Sequence, residues 1–272
     1  MNKDKAHVKT DILLRRIEKQ LQMLYSKGYK ELKQKMQEQF EKMNFDKDMT
    51  PQQRYLEAMK YDRLKKIEDQ LTDALKDLNK EAVKIVTNEM VNVYKLNYNF
   101  EADKFGGSIP IIDKSTIKQV LSGQVTPFKQ LAIDDLKNAS QIRSKLTTEL
   151  LNGIMQGDSI NGLAKRIRNV TEGTLASSVR IARTETTRVE ASARMDVGKQ
   201  GEKLGFKMKK QWVSTNDDST RPAHNHADGQ IVDIDKPFIV GGEELMYPGD
   251  EAGSAWNTIN CRCTVVNIIV EE

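Results

Sequence analysis

Aromatic residues are scarce in this sequence, and no apolar run is long enough to suggest a membrane helix. Phe, Trp and Tyr make up 6% of the 272 residues, whereas charged residues reach 30%. This balance favours long, solvent-exposed helices over a thick globular core. Because no run of about 18 apolar residues occurs, we expect no transmembrane span. The first residues, Met1 to Lys5, lead into a charged segment, so we expect no secretory signal.

Cysteine is nearly absent as well. Cys261 and Cys263 are the two cysteines of the chain, and residues two apart cannot form a disulfide with each other without severe strain. We therefore expect no intramolecular disulfide framework and synthesis in a reducing cytoplasm.

The charge is distributed unevenly along the chain. Residues 1–100 carry 21 basic and 16 acidic side chains, residues 101–210 carry 19 and 12, and residues 211–272 carry 3 and 11. A basic body followed by an acidic tail indicates an anionic neighbour for the body, such as nucleic acid or an acidic protein surface. Solvated helical faces explain the same excess without a ligand.

The N-terminal part has the pattern of two long amphipathic helices. Apolar residues recur at steps of three and four from Leu13 to Met43, and again from Leu56 to Val93. Thr50-Pro51 has the form of a helix cap followed by proline at the first helical position. We predict one helix before this cap and a second from about Pro51 to about Tyr98, paired as an antiparallel hairpin or coiled coil that buries one seam.

The C-terminal part changes from helical to strand periodicity. We predict helices over Lys114–Leu121, Phe128–Asn152, Ser159–Val170 and about Leu175–Leu204, ended by Gly205. Strand candidates are Phe206–Val213, Ile231–Val232, Phe238–Val240, Leu245–Tyr247 and Thr264–Val270, the last β-branched enough for a central strand. The predicted fold class is α+β, with a long N-terminal helical hairpin and a small C-terminal domain of helices and antiparallel sheet. We divide the chain into a helical arm (1–105), a helical connector (106–174) and the α+β domain (175–272).

Three sequence blocks in the last third carry a family resemblance. They read RIARTETTR at 180–188, WVSTNDDSTRPAH at 212–224 closing with Asp228-Gly229, and NCRC at 260–263. In this order and spacing, the segment from about 157 to 270 resembles the C-terminal domain of the phage Mu F-like head morphogenesis family, the minor head proteins. The motif residues are Arg183, Glu185, Arg188, Asp217, Arg221, Asp228, Gly229, Asn260 and Arg262.

The resemblance implies a structural, non-enzymatic protein of a tailed-phage virion. Such proteins are made in the host cytoplasm and are built into the capsid interior near the portal vertex, where they assist head assembly and DNA packaging or delivery. The implied partners are the portal protein, other capsid components and packaged DNA, with self-association possible through residues 1–100. Some family members are fused to toxin-like enzymes; because the sequence stops just after its terminal block, we expect no such extension.

Histidine and cysteine cluster in the same region. His224, His226, Cys261 and Cys263 together have the inventory of a tetrahedral zinc site. Many members of the family carry two cysteines before the Asp-Gly and a histidine before NCRC, where this chain has Arg221, His224 and Thr258. We therefore expect no cofactor, with the cysteines packed as small buried residues, and keep zinc binding as the alternative.

Two catalytic arrangements can be drawn from the same residues. A Cys–His–Asp set would combine Cys261 and His224 with Asp217 or Asp228, but no oxyanion hole accompanies it. A metal-dependent nuclease using His224, His226 and Asp228 is the better enzymatic alternative. A zinc-stabilised nucleic-acid-binding module is a third hypothesis.

Basic residues offer two further candidate sites. Arg180, Arg183, Arg188 and Arg194 on the predicted long helix could bind phosphates or, as we favour, anchor the helix to the sheet through ion pairs. The proposed DNA-contacting patch is Lys203, Lys207, Lys209 and Lys210, which we expect to be exposed. Asp228-Gly229 has the composition of a tight turn.

Overall fold

The computed structural model describes the backbone of residues 4–43, 45–123 and 127–270, and their side chains except at 61, 122, 123 and 127–140. Helices dominate up to Lys203, and two small antiparallel sheets follow. This α+β architecture confirms the predicted fold class. Among the described residues, none of the helices combines the length and the apolar character needed to cross a membrane.

The N-terminal helices begin and end close to the predicted positions, with one correction. Helix α1 spans Lys5–Phe40, α2 spans Pro51–Met59 and α3 spans Arg63–Ala102. Thr50 caps α2, with its hydroxyl accepting from the Gln53 amide and the Gln53 side chain accepting from the Thr50 amide. The prediction of a single helix from about Pro51 to about Tyr98 is wrong. A short 3-10 turn at Lys60–Asp62 interrupts it, where Asp62 adopts a left-handed backbone (φ 53°).

The next three helices include the longest of the described chain. Helix α4 spans Lys114–Gly123, α5 spans Pro127–Gln156 and α6 spans Ile160–Lys203. The predicted break between Val170 and Leu175 is wrong, because α6 runs through it without interruption. Thr171 and Thr174 donate their hydroxyl hydrogens to carbonyls one turn earlier, and a single glycine at 173 costs only about 1 kcal/mol in a helix interior.

The strands lie between short helices. Strand β1 spans Met208–Val213, α7 Pro222–Ala227, β2 Ile231–Asp233, β3 Phe238–Val240, β4 Glu243–Leu245, α8 Ala255–Thr258 and β5 Thr264–Ile269. The larger sheet has the order β2-β1-β5, all antiparallel, with Lys210 opposite Val232 and Asn267. β1 is therefore the central strand, which corrects the expectation for β5. β3 and β4 form a hairpin, so the fourth strand lies two residues before its predicted position.

The chain groups into two compact units, each assembled from separated stretches. Unit 1 comprises residues 1–18, 86–127 and 179–272, and unit 2 comprises residues 19–85 and 128–178. In unit 2, buried apolar residues of α1, α2, α3, α5 and α6 form one core, with Leu32, Leu71, Leu146 and Leu163 fully buried. The seam of α1 and α3 thus packs against α5 and α6 there, and the two helices do not form a self-contained hairpin. The division at residues 105 and 174 stays a prediction.

The core of unit 1 lies between the end of α6 and the sheets. Trp212 and Phe238 are fully buried, with ring centroids 5.4 Å apart in an edge-to-face arrangement. Val189, Ala193 and Val197 of α6 are buried as well. This core holds the loops that carry the histidine and cysteine residues.

Candidate functional site

The histidine and the two cysteines meet in the interior of unit 1. Pro222 starts α7 directly after the loop that follows β1, and this places His224 in the core with 1% of its surface exposed. Cys261 and Cys263 lie on the segment leading into β5 and are also buried. The His224 Nδ1 atom lies 3.3 Å from Cys263 Sγ and 3.6 Å from Cys261 Sγ. The edge of the His224 ring faces Trp212, with centroids 5.6 Å apart.

The two thiols differ in acidity because they share a hydrogen bond. The contact with Cys263 lowers the pKa of Cys261 despite the opposing effect of burial. The same contact, together with burial, raises the pKa of Cys263 far above its usual range. Cys263 is therefore a thiol at neutral pH, and neither sulfur faces an open cleft. The space beside the cluster has a volume of about 10 Å³, roughly that of one water-sized probe.

His226 does not join this cluster. In an α-helix, residues two apart point about 200° away from each other, and α7 accordingly exposes His226 while burying His224. In a β-strand, side chains two residues apart would face the same side, but this segment is helical. Among the described residues, His224, Cys261 and Cys263 are the group whose potential ligand atoms lie within 4.8 Å of one another.

Three such ligands do not complete a structural zinc site. The nitrogen–sulfur distances resemble the edges of a zinc tetrahedron, but structural sites are almost always closed by four protein ligands. The fourth candidate, His226, points to solvent. The described residues of this cluster therefore supply three of the four ligands that a structural zinc site would need.

Asp228 and Gly229 organise the backbone beside the cluster. The Asp228 carboxylate accepts from the Ser214 amide (2.7 Å) and from the Asn216 side chain (3.1 Å). Gly229 has φ 80° and donates its N–H to the Trp212 carbonyl, so the predicted turn needs glycine here. Asp228 is thus engaged in holding the loop after β1. With His226 exposed and His224 buried, the residues of the nuclease hypothesis do not form a common site.

The three motif blocks contact one another directly. Thr184 accepts from the Asn260 amide at 3.0 Å, and the Thr187 hydroxyl donates to the Cys261 carbonyl. Arg262 forms an ion pair with Asp217 at 2.7 Å. Asn260 has a left-handed backbone (φ 57°), a conformation that asparagine adopts more readily than most residues. The terminal block therefore contacts both the helix block and the central block, so the three blocks are parts of one packed structure.

The arginines of α6 are mostly paired with carboxylates. Arg188 and Glu185 form a buried ion pair at 3.0 Å, and Arg183 bonds Glu18 at 2.6 Å. Arg194 is fully buried. For Arg188 and Arg194 this is the geometry of anchoring, because a buried guanidinium cannot reach a phosphate, whereas the side chain of Arg183 is 42% exposed.

The ion-pair network around Arg194 was not predicted from the sequence. Its guanidinium contacts Asp4, Glu101 and Glu190, and Glu190 also accepts from Thr264 and lies 2.8 Å from His7 Nδ1. The signal was present: Glu190 and Arg194 are spaced i, i+4 on a helix, and Glu101 lies three residues after Tyr98 and four before Phe105, on an apolar face. The charges that lower the pKa of Glu190 against the effect of its burial are those of His7 and Arg194.

The four lysines of the candidate DNA patch have different environments. Lys203 and Lys207 are exposed, and Lys209 is half-buried and paired with Asp233 at 2.9 Å. Lys210 is fully buried, donates to the Met246 carbonyl at 2.8 Å and lies 5.1 Å from the Phe238 ring centroid. The expectation of an exposed patch of four lysines is therefore wrong for Lys210, whose strand position faces the core.

Comparisons with known proteins agree with the motif blocks. Residues 144–266 match the family described as Phage Mu protein F like protein, and this range contains all three blocks. The minor head protein GP7 of Bacillus phage SPP1 is 25% identical over 281 residues, covering 100% of this chain and 88% of that protein. The NAD(+)–arginine ADP-ribosyltransferase EFV of Enterococcus faecalis is 29% identical over 177 residues, covering 65% of this chain and 36% of that protein. No solved structure matches the chain.

The two relatives differ in how much of their own length this chain covers. The chain spans about a third of the Enterococcus protein and most of the phage protein. The resemblance inferred from the three blocks is confirmed by the match of residues 144–266 to the Phage Mu F-like family.

Proposed function

We propose that this chain is a minor head protein, a non-enzymatic component of a tailed-phage capsid that acts near the portal vertex. The observation that carries the proposal is the similarity to minor head protein GP7 along the whole chain. In this role it would bind the portal and other capsid components and assist head assembly and DNA packaging or delivery. Self-association through residues 1–100 is part of the same proposal.

The geometry around the histidine and cysteines supports a structural role. His224 and both cysteines are buried, and the adjoining space has a volume of only about 10 Å³. A substrate could not reach a nucleophile there without opening the core. The ion pairs of Arg188 and Arg194 likewise hold elements together.

Contact with packaged DNA is proposed for Lys203 and Lys207, the two exposed members of the lysine set. Both lie at the turn between α6 and β1, so their ammonium groups are available to phosphates. Such contacts are independent of sequence and weaken as salt increases. Replacing both lysines by glutamine should reduce the salt dependence of duplex binding, whereas Lys210→Gln should leave that dependence unchanged.

Purified heads test the main proposal. We expect mass spectrometry of heads to detect this chain in few copies, and cryo-microscopy without imposed symmetry to show it beside the portal. Binding of the purified chain to the isolated portal protein is the complementary measurement. Heads that contain no copy of this chain would refute a structural role.

The similarity to the ADP-ribosyltransferase makes enzymatic activity the property to test against the proposed structural role. That activity is named for a protein of which this chain covers 36%. We expect the purified chain to transfer no ADP-ribose from NAD to arginine-containing acceptors, and to nick no plasmid DNA in the presence of magnesium. Turnover in either assay that is abolished by His224→Ala would contradict the non-enzymatic assignment.

A further inference from the structure

Four arginines converge on a cleft in unit 1. Arg15 of α1, Arg183 of α6, Arg221 at the start of α7 and Arg262 before β5 line a space of about 560 Å³. Two carboxylates, Asp11 and Glu18, share the wall. Positive side chains are therefore in excess around a concavity large enough for several side chains of a partner.

The arginines keep donors available toward the cleft. Arg183 bonds Glu18 through Nε, and Arg262 bonds Asp217 through one terminal nitrogen, while their side chains remain 42% and 35% exposed. Arg15 is exposed and, among the described residues, makes no ion pair. Because a guanidinium has five N–H donors, each arginine can bind a further carboxylate or phosphate oxygen.

Large apolar side chains lie next to these arginines. Trp256 is 70% exposed, and the Arg221 guanidinium lies 5.8 Å from its ring centroid. Ile12 is 59% exposed and lies on α1 one turn before Arg15. Tryptophan and arginine are the residue types most enriched among the energetic centres of protein interfaces.

The surrounding charge favours a protein over DNA. Residues 211–272, which provide Arg221, Trp256 and Arg262, carry eleven acidic and three basic side chains. Duplex DNA, with one negative charge per roughly 1.7 Å of its axis, would bring a row of phosphates against Asp11 and Glu18 in the cleft wall. A peptide bears its carboxylates singly and offers apolar side chains to Trp256 and Ile12.

We propose that this cleft, the Arg15 cleft, binds an acidic segment of another head protein. The segment would place carboxylates against Arg15, Arg183 and Arg262, and an apolar side chain against Trp256. This inference deepens the proposed function by naming a surface through which a head component is held.

Peptide binding by the purified full chain tests it. The probe is a short peptide of Glu and Leu residues, and its counterpart carries Gln in place of Glu. We expect the Glu peptide to change the fluorescence of Trp256, since the other tryptophan, Trp212, is buried. The Gln peptide should bind about tenfold or more weakly, because the carboxylate–guanidinium contacts are lost.

Two variants and a matched control locate the binding. Arg15→Gln and Trp256→Ala should each weaken binding of labelled Glu peptide by about five- to tenfold, and Lys118→Gln, an equal charge loss on an exposed lysine outside the cleft, should not. Unchanged affinity in Arg15→Gln, or no binding of the Glu peptide to the wild-type chain, would overturn the proposal. Displacement of the peptide by a DNA duplex that binds more tightly, with loss of duplex binding in Arg15→Gln, would reassign the cleft to phosphates. These results do not depend on whether the chain is found in heads.

Discussion

At the scale of single residues, burial decides which charged side chains stabilise the fold and which can meet a partner. Arg188, Arg194 and Lys210 are buried, whereas Arg15 and Lys203 are exposed. All five belong to the same basic sequence background. The excess of basic residues in the sequence therefore includes buried side chains that stabilise the fold and exposed side chains that are available to a partner.

Arg194 is the residue whose loss we expect to be most damaging. Arg194→Met would remove the fully buried cation that Glu101 and Glu190 share, at a cost of about 3–5 kcal/mol in the free energy of unfolding. Arg168→Met removes an exposed i, i+4 pair with Glu172 and should cost less than about 0.5 kcal/mol. Urea unfolding of the two variants provides the comparison. Equal losses would show that the buried network does not contribute as described.

Lys210 should give unfolding a distinctive alkaline dependence. Burial lowers the pKa of Lys210 to about 8 from its ordinary 10.5. Between these values the unfolded chain binds more protons than the folded one, so this residue makes the free energy of unfolding increase with pH. Below about pH 8 its burial as a cation opposes folding. The free energy of unfolding of the wild-type chain minus that of Lys210→Met should therefore rise between pH 7 and 10.5. A difference that does not change with pH would contradict the buried environment of Lys210.

The cysteine cluster should resist chelators. Because three protein ligands do not close a zinc site, we expect the melting temperature to be the same with and without EDTA. Cys263→Ala should lower the free energy of unfolding by about 1–2 kcal/mol through lost packing and a lost hydrogen bond to His224. Stoichiometric zinc in the purified chain, together with a chelator-dependent melting temperature, would reverse this assignment.

At the scale of secondary-structure elements, long helices place residues according to local packing that the sequence pattern does not reveal. Helix α6 contains Gly173, where an added Cβ would meet nothing within 4 Å, and Gly201, where it would lie 2.6 Å from the Phe105 ring. A side chain would fit at Gly173, whereas the absence of a Cβ at Gly201 permits close contact with the Phe105 ring.

These two glycines provide a matched pair of substitutions in one helix. Gly173→Ala should raise the free energy of unfolding by about 0.5–1 kcal/mol through helix propensity. Gly201→Ala gains the same propensity but must displace the buried Phe105 ring, so we expect a net loss of roughly 1–2 kcal/mol. Thermal and urea unfolding would measure both, and a stabilising Gly201→Ala would show that the Phe105 ring moves aside easily.

At the scale of the whole molecule, the N-terminal helices are parts of both compact units. Residues 1–18 belong to unit 1 with the sheets, and residues 19–85 belong to unit 2 with α5 and the first half of α6. The helical arm defined by its sequence pattern therefore supplies core residues to each unit.

We accordingly expect that a chain lacking residues 1–105 will not fold. Unit 2 would lose Leu32, Met36 and Leu71, and unit 1 would lose Asp4 and Glu101 from the Arg194 network. Circular dichroism should show reduced helix and no cooperative melting, whereas the full chain carrying Arg168→Met should still melt cooperatively. A stable, cooperatively melting remainder would establish the arm as a separable domain.

Much of this organisation could be predicted from local signals in the sequence. The Thr50-Pro51 cap, the change of period after Gly205 and the Asp228-Gly229 turn act through neighbouring residues, and each lies where it was expected. The three motif blocks were sufficient for the family resemblance. The continuation of α6 through Gly173 was missed because packing outweighs a weak local propensity.

The helical and strand periodicity, the caps and turns, and the family resemblance could be predicted from sequence, because each is encoded in short stretches or in spacing. Tertiary structure alone decided that His224 joins the cysteines while His226 faces solvent, that Lys210 is buried, and that the Arg15 cleft exists. Burial and convergence depend on residues far apart in the chain, such as Arg15 and Arg262. Their proximity is set by the packing of the whole unit, which no local pattern specifies.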